Sequence, residues 1–200
     1  MGFHEAASSE ARPAASDGAG RQVEAARGHA VVVQPGEGPS YWQPVPACGH
    51  ADPTLTPAET RFEGFSMGYQ TIAPGGRVRE HAHAAQVELQ VCFRGRGRVV
   101  VDGVRHPLVP GTACFLGPGV RHEILNEGPE ELVMLWVIAP PGLERFFAAI
   151  GRPRRPGEPA PAPFARPPDV AAIERSEEPT SELQSPCNLV CRLLLEKKKK

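Results

Sequence analysis

Short apolar runs recur through the middle of this chain at intervals of roughly ten residues, each closed by glycine, proline or asparagine. They are VVV at 31–33, FSMGYQTIA from Phe65, VELQVCF from Val87, RVVVDG from Arg98, TACFLG from Thr112, HEILN from His122 and LVMLWVIA from Leu132. Runs too short for buried helices, punctuated this evenly, predict an all-β sandwich or barrel. Asp102-Gly103, between Val101 and Val104, is the dipeptide of a tight hairpin whose two central residues take positive φ. One short C-terminal helix is predicted: Leu143, Phe146, Phe147 and Ile150 fall on one helical face, Pro141 suits the first turn, and Gly151 can end it. That helix should cap the barrel or line a dimer contact.

The flanks divide the chain. Residues 1–30 read as a disordered arm, because Glu5, Glu10, Asp17 and Glu24 interrupt any apolar stretch and exclude a secretory or transit signal. Residues 31–61 form an N-terminal strap and edge strand, 62–151 the barrel with its capping helix, and 152–174 a proline-rich extended strap anchored by Phe164. Every lysine lies in Lys197–Lys200, and RSEEPTSELQS from Arg175 resembles a translated sequencing adapter, so residues 175–200 are expected to be a non-native tail. Without that tail the cysteines are Cys48, Cys92 and Cys114, an odd number that argues against a disulfide framework and for a reducing cytoplasmic setting.

Charge excludes other classes. With 22 basic and 23 acidic side chains, the chain advertises no basic face for nucleic acid. The longest apolar run, Leu132 to Ala139, is too short to span a bilayer, so no membrane role is expected.

Against this β background stands GGRVREHAHAAQVELQVCFRGRG, residues 75–97. On a strand, His81 and His83 share a side, whereas Glu88 has the opposite parity; a turn or bulge among Ala84, Ala85 and Gln86 must restore its direction if it joins them. His122 follows a Gly-Pro-Gly turn. Three imidazoles and a carboxylate suit one divalent transition metal, with Fe2+ favoured and Mn2+, Co2+, Ni2+, Cu2+ or Zn2+ also accommodated. Four protein ligands leave one or two positions open for a small molecule. Of the other histidines, His4, His29, His50 and His106 have no partner at ligand spacing and read as solvated loop residues, His106 at a turn before Pro107.

These residues resemble the cupin superfamily. Its first motif, G-x5-H-x-H-x4-E-x6-G, matches Gly75, His81, His83, Glu88 and Gly95; its second, G-x5-P-x-G-x2-H-x3-N, matches Gly111, Gly119, His122 and Asn126. Gly117 stands where the family has proline, and Pro118 follows it. The short gap between motifs, and an upstream strap from Gln34 to Pro57, are similar to those of small bacterial single-domain cupins of the type-2 kind. The resemblance implies a double-stranded β-helix (jelly-roll) barrel, with His81, His83, Glu88 and His122 ligating one metal inside it. It also implies a homodimer, for which the exposed edge at residues 31–33 would favour pairing.

Catalytic residues are not identified by these motifs. Gln90 and Cys92 share the face of Glu88, so Gln90 is a candidate to hydrogen-bond a metal-bound substrate or water. Tyr69 is a candidate donor to a bound anion, and Arg77 and Arg79 flank the ligands where an anionic substrate would arrive. Cys114 reads as a buried apolar residue. The leading functional expectation is a metal-dependent oxygenase of the dioxygenase kind acting on a small molecule. The alternatives are a metal-dependent isomerase or decarboxylase acting on a small acid or sugar, weakened because Glu80 and Glu123 point away from the ligands, and a non-catalytic module that binds a small ligand.

Overall fold

The computed structural model of the chain describes residues 28–177. The expected N-terminal arm, save residues 28–30, and the expected tail beyond residue 177 lie outside the described residues. The chain divides into two units, Met1–Val31 and Val32–Lys200. Within the first, residues 28–31 are exposed and carry no helix or strand; the architecture below belongs to the second.

Two antiparallel sheets build the domain. The strands are β1 Tyr41–Trp42, β2 His50–Leu55, β3 Ser66–Ile72, β4 Arg77–His81, β5 Val87–Arg94, β6 Gly97–Val101, β7 Val104–Leu108, β8 Ala113–Leu116, β9 His122–Leu125, β10 Leu132–Ala139 and β11 Arg152–Pro153. The larger sheet runs β11-β1-β2-β3-β10-β5-β8 and the smaller β4-β9-β6-β7. This is the all-β double-stranded β-helix that the apolar runs and the two motifs predict.

Alternation sorts the side chains. On the larger sheet Ile72, Cys92, Met134, Trp136, Ile138 and Leu116 are buried, while their neighbours Tyr69, Leu135, Val137 and Leu89 are half-buried or exposed. One core cluster joins Ile72, Cys92, Val99, Leu108, Ile124, Leu132 and Met134 across the two sheets. A second joins Ala51, Trp136, Ile138 and Phe147, with Tyr41, Leu143 and Phe146 packed on it. Gly68 makes room for the Trp136 ring, since a Cβ there would stand 2.6 Å from its Cζ2 and 2.5 Å from the Asp52 carbonyl oxygen.

Among the described residues three helices are present where one was expected: α1 Pro57–Thr60, α2 Leu143–Ile150 and α3 Val170–Glu177. Helix α2 is the predicted one. Its N-cap is Gly142, so Pro141 precedes the helix, and Glu144 accepts from the Gly142 N–H at 3.0 Å and from Ser66 Oγ at 2.6 Å. Thr56 and Glu59 form a capping box at α1, which sequence periodicity cannot reveal in so short a helix.

Other differences have local causes. Residues 31–33 join no strand, because the apolar run has no ladder partner; Val32 is 78% exposed. Strand β2 was missed because Pro53 and polar residues mask its alternation, yet it pairs along β3. His106 lies on β7 at the edge of the smaller sheet, the one kind of strand that tolerates Pro107. His50 is not a loop residue: it sits on β2 with Nε2 3.3 Å from Asp52 Oδ2, its ring edge-on to Trp42 at 5.7 Å. Asp52 also accepts from Ser40 Oγ at 2.5 Å, and Arg154, over the Trp42 ring, brings the strap to this network. Burial opposes the Asp52 charge, but His50, Ser40 and Arg154 outweigh it and hold the carboxyl below its ordinary range. The Asp102–Gly103 hairpin has φ +45° and +82°, joining Val101 to Val104.

Candidate metal centre

The four candidate ligands come from three structural settings. His81 ends β4 and His122 begins β9, paired directly opposite one another, with ring centroids 4.1 Å apart. The β4–β9 ladder shifts register between Val78 and His81, an irregularity of the kind that re-aims a side chain. His83 lies beyond the strand, in the connection from the smaller sheet to the larger, so strand alternation does not place it beside His81. Glu88 is the second residue of β5, buried and directed inward with Gln90 and Cys92. The break at residues 82–86 resolves the parity conflict between histidines and glutamate.

The second motif clamps the first. The Gly119 N–H donates to the His83 carbonyl at 2.8 Å, and Val120 N–H closes the turn onto the Gly117 carbonyl at 3.2 Å. Pro118 occupies the second position of that turn and Gly119, at φ +77°, the third, the arrangement of a type II turn. The displaced proline therefore suits the turn, and His122 keeps its place. Asn126 is a strut: its buried Nδ2 faces the carbonyls of Ile72, Ala73 and Glu130 at 2.8–3.1 Å, and its Oδ1 accepts from Gly128 N–H at 3.1 Å.

One ligand atom from each of His81, His83, Glu88 and His122 lies within 4.8 Å of all the others. Nδ1 of His81 lies 2.8 Å from the Arg79 carbonyl, and Nδ1 of His122 lies 3.2 Å from that of Val120. With the proton on Nδ1, each ring presents the Nε2 lone pair, as a metal-ligating imidazole requires. His83 Nε2 and His122 Nε2 approach Glu88 Oε2 at 3.3 and 3.2 Å, yet all three atoms are buried without a hydrogen bond. The short contacts reflect atoms converging on a shared point rather than a donor aimed at an acceptor. Donors held about 2.1 Å from one ion at right angles stand about 3 Å apart, so the cluster fits a divalent transition metal and can hold one.

Electrostatics favour the ligating protonation states. Burial, with the neighbouring His122, lowers the His81 pKa to about 4, keeping that imidazole neutral. Burial alone would raise Glu88, but His122 and His83 outweigh it and hold the carboxyl well below the usual range. Gln90 Nε2 donates to Glu88 Oε1 at 2.9 Å, leaving Oε2 for the cluster. Gln90 thus reaches the ligand itself rather than a bound substrate or water, while its own Oε1 is buried without a hydrogen bond.

Three of the four candidate ligands, His81, His83 and Glu88, line a cavity of about 360 Å³. Leu143, Phe146, Phe147 and Ile150 of α2 supply an apolar wall, and Gln43, Gln70 and Gln86 supply polar groups. Gln86 also ties the His83 connection to the entrance of α2 by donating to the Pro140 carbonyl at 2.8 Å. Tyr69 does not line this cavity. Alternation turns Gln70 inward and Tyr69 outward, edge-on to Phe93 at 5.2 Å. Arg77 and Arg79 do line it, with Arg77 3.6 Å from Glu123. Glu80 lines it too, 3.7 Å from Arg121. Cys92 and Cys114 are free thiols, both pushed up by burial. Arg166 and Glu174, also at the cavity, carried no sequence signal because their contacts span the chain.

Residues 68–138 match the family model for a cupin domain. These residues form a cupin domain of the type-2 kind, as the two motifs imply. The chain is 31% identical over 86 residues to Protein SchB of Streptomyces halstedii, covering 43% of this chain and 62% of that one. It is 29% identical over 118 residues to dimethylsulfoniopropionate lyase DddW of Ruegeria pomeroyi, covering 52% of this chain and 76% of that one. A predicted oxalate decarboxylase from Thermotoga maritima, known from its crystal structure, superposes with TM-score 0.50 at 24% identity, over 55% of this chain and 98% of that one. The chain spans about three fifths of the length of the first curated relatives it matches. No helix among the described residues is long and apolar enough to cross a membrane.

Proposed function

We propose that this protein is a metal-dependent enzyme acting on a small molecule, with His81, His83, Glu88 and His122 as ligands and oxygenase chemistry of the dioxygenase kind as the primary reading. One observation carries it: three buried, unpartnered ligand atoms, on His83, Glu88 and His122, converge at the wall of a cavity that His83 and Glu88 line, and the other carboxylates among its described lining residues are already engaged. Among the described lining residues, the remaining carboxylates are Glu80 and Glu174, and both stand beside arginines. When bound, a divalent ion of the iron type supplies electron transfer to dioxygen and polarises a substrate anion.

The chain's own residues do the rest. The Arg79 and Val120 carbonyls fix two imidazoles, Gln90 fixes the carboxylate, and the wall of α2 holds the apolar part of a substrate and excludes water. The test is oxygen uptake by the purified protein, reconstituted with Fe2+, Mn2+, Co2+, Ni2+, Cu2+ or Zn2+ and offered enol, phenol and thiol substrates. Uptake with Fe2+ supports the reading; no uptake with any metal overturns it.

A second reading is non-oxidative chemistry in which the ion acts as a Lewis acid, favoured by the similarity to a protein named as a lyase. Turnover without oxygen uptake, retained with redox-inert Zn2+, separates the two. For assembly, the reading is a homodimer through the outer face of the larger sheet, where Leu89, Phe93 and Phe115 are 46%, 59% and 70% exposed beside the unpaired edge of β8.

A further inference from the structure

One carboxylate oxygen at the cavity serves two guanidinium groups. Arg166 Nη1 donates to Glu174 Oε1 at 2.9 Å, and Arg79 Nη2 stands 3.6 Å from the same oxygen. All three residues line the cavity that His81, His83 and Glu88 also line. Arg166 is the better fixed arginine: its guanidinium lies 5.7 Å over the Phe146 ring, and its side chain is 20% exposed. Glu174 rides on α3, and its side chain is 46% exposed.

The charges do not balance locally. Glu123 is engaged by Arg77 and Glu80 by Arg121, so Glu174 is the anion at hand for both Arg79 and Arg166. Ion pairs this exposed contribute little, typically below about 1 kcal/mol, because water screens them. Two guanidinium groups sharing one half-exposed carboxylate oxygen are therefore primed to exchange it for a carboxylate that can engage both of its oxygens.

We infer that Arg79 and Arg166 form a carboxylate-binding pair for the molecule that enters this cavity, and that Glu174 is its internal occupant, displaced when that molecule binds. The inference rests on the reading of the cavity as a substrate site and adds the substrate class: a small carboxylate with an apolar body. The body lies against Leu143, Phe146 and Ile150, which line the same cavity. The carboxylate class follows from the group now on the arginines, a planar monoanion. The protein's own glutamate thereby sets a threshold concentration below which the pair stays filled from within.

The test titrates the full chain as purified, wild type and Glu174→Gln, with butyrate, butyramide and inorganic phosphate by isothermal calorimetry, with metal content measured on the same samples. Glu174→Gln should tighten butyrate binding roughly three- to fivefold, the scale of one exposed ion pair, and leave butyramide unchanged. Adding Arg166→Gln should abolish that gain; if this variant loses its cooperative melt, Arg79→Gln makes the same comparison. Equal or weaker butyrate binding by Glu174→Gln, or no detectable binding by it, overturns the pair. Phosphate binding as tight as butyrate overturns the carboxylate class. Because the readout is a difference in affinity and not turnover, it can fail while metal is retained, and samples without metal bear only on the reading above.

Discussion

Gln90 donates its side-chain N–H to Oε1 of Glu88 at 2.9 Å, so that one carboxylate oxygen is held and the other faces the imidazoles. Replacing Gln90 by Leu should leave the barrel folded but let the carboxylate rotate. Metal affinity should fall ten- to a hundredfold, on the order expected for loss of an outer partner of a ligand. Competition with a chromophoric chelator measures it; unchanged affinity would show that packing alone positions Glu88.

Removal of the ion should be felt in stability. A ligand that binds only the folded state adds about 2.7 kcal/mol at a hundred times its dissociation constant. Chelation of the purified protein should therefore lower its melting temperature by several degrees, and His122→Ala should remove this sensitivity. Calorimetric melts with and without chelator provide the check.

The Asp52 network predicts a pH-dependent contribution. Its native pKa lies below the ordinary aspartate value of 3.8, so the unfolded state binds more protons in the acid range. The stabilisation is present above about pH 4 and is lost as pH falls through the native pKa. Asp52→Asn should cost about 1 kcal/mol at neutral pH, with the gap to wild type closing in acid. Urea melts at pH 7 and pH 3 decide; a gap that persists unchanged at pH 3 would exclude the charge as its source.

Gly68→Ala would place a Cβ against Trp136, Asp52 and Pro53, two of these contacts being backbone. Overpacking of this kind costs about 1–3 kcal/mol. Since Trp136 and Ile138 pack with Phe147 of α2, the variant should also loosen the cavity wall, read as a blue- or red-shifted tryptophan emission alongside the lower melt.

Phe115→Arg places a charge on the most exposed large apolar side chain of the outer sheet face. If two copies meet there, light scattering should report a dimer for the wild type and a monomer for the variant. A monomeric wild type would remove that assembly.

Legibility followed the range of the interactions. His81, His83, Glu88 and His122 could be read because their spacing is local and each motif is one strand-turn unit; parity required a break before Glu88, expected at residues 84–86, and the strand in fact ends earlier, at His81. Tyr69 was misassigned for want of the strand's phase, which the burial of Ser66 and Gln70 fixes. VVV at 31–33 looked like a strand because an apolar run does not declare whether a partner exists. His50 looked solvated because Asp52, two residues away, becomes its partner only once β2 forms. Arg166 and Glu174 were invisible for a related reason. The proline-rich strap and a polar helix acquire meaning only when the chain returns to the cavity mouth.

The division of the ligands has a mechanical meaning. His81 and His122 belong to the smaller sheet, Glu88 to the larger, and His83 to the link between them. An ion at their centre would rivet one sheet to the other at the point where the two could splay. Amide hydrogens in the connection at residues 82–86 should then exchange slowly with the rivet in place and quickly without it. The same rivet makes opening of the barrel and departure of the ion a single event.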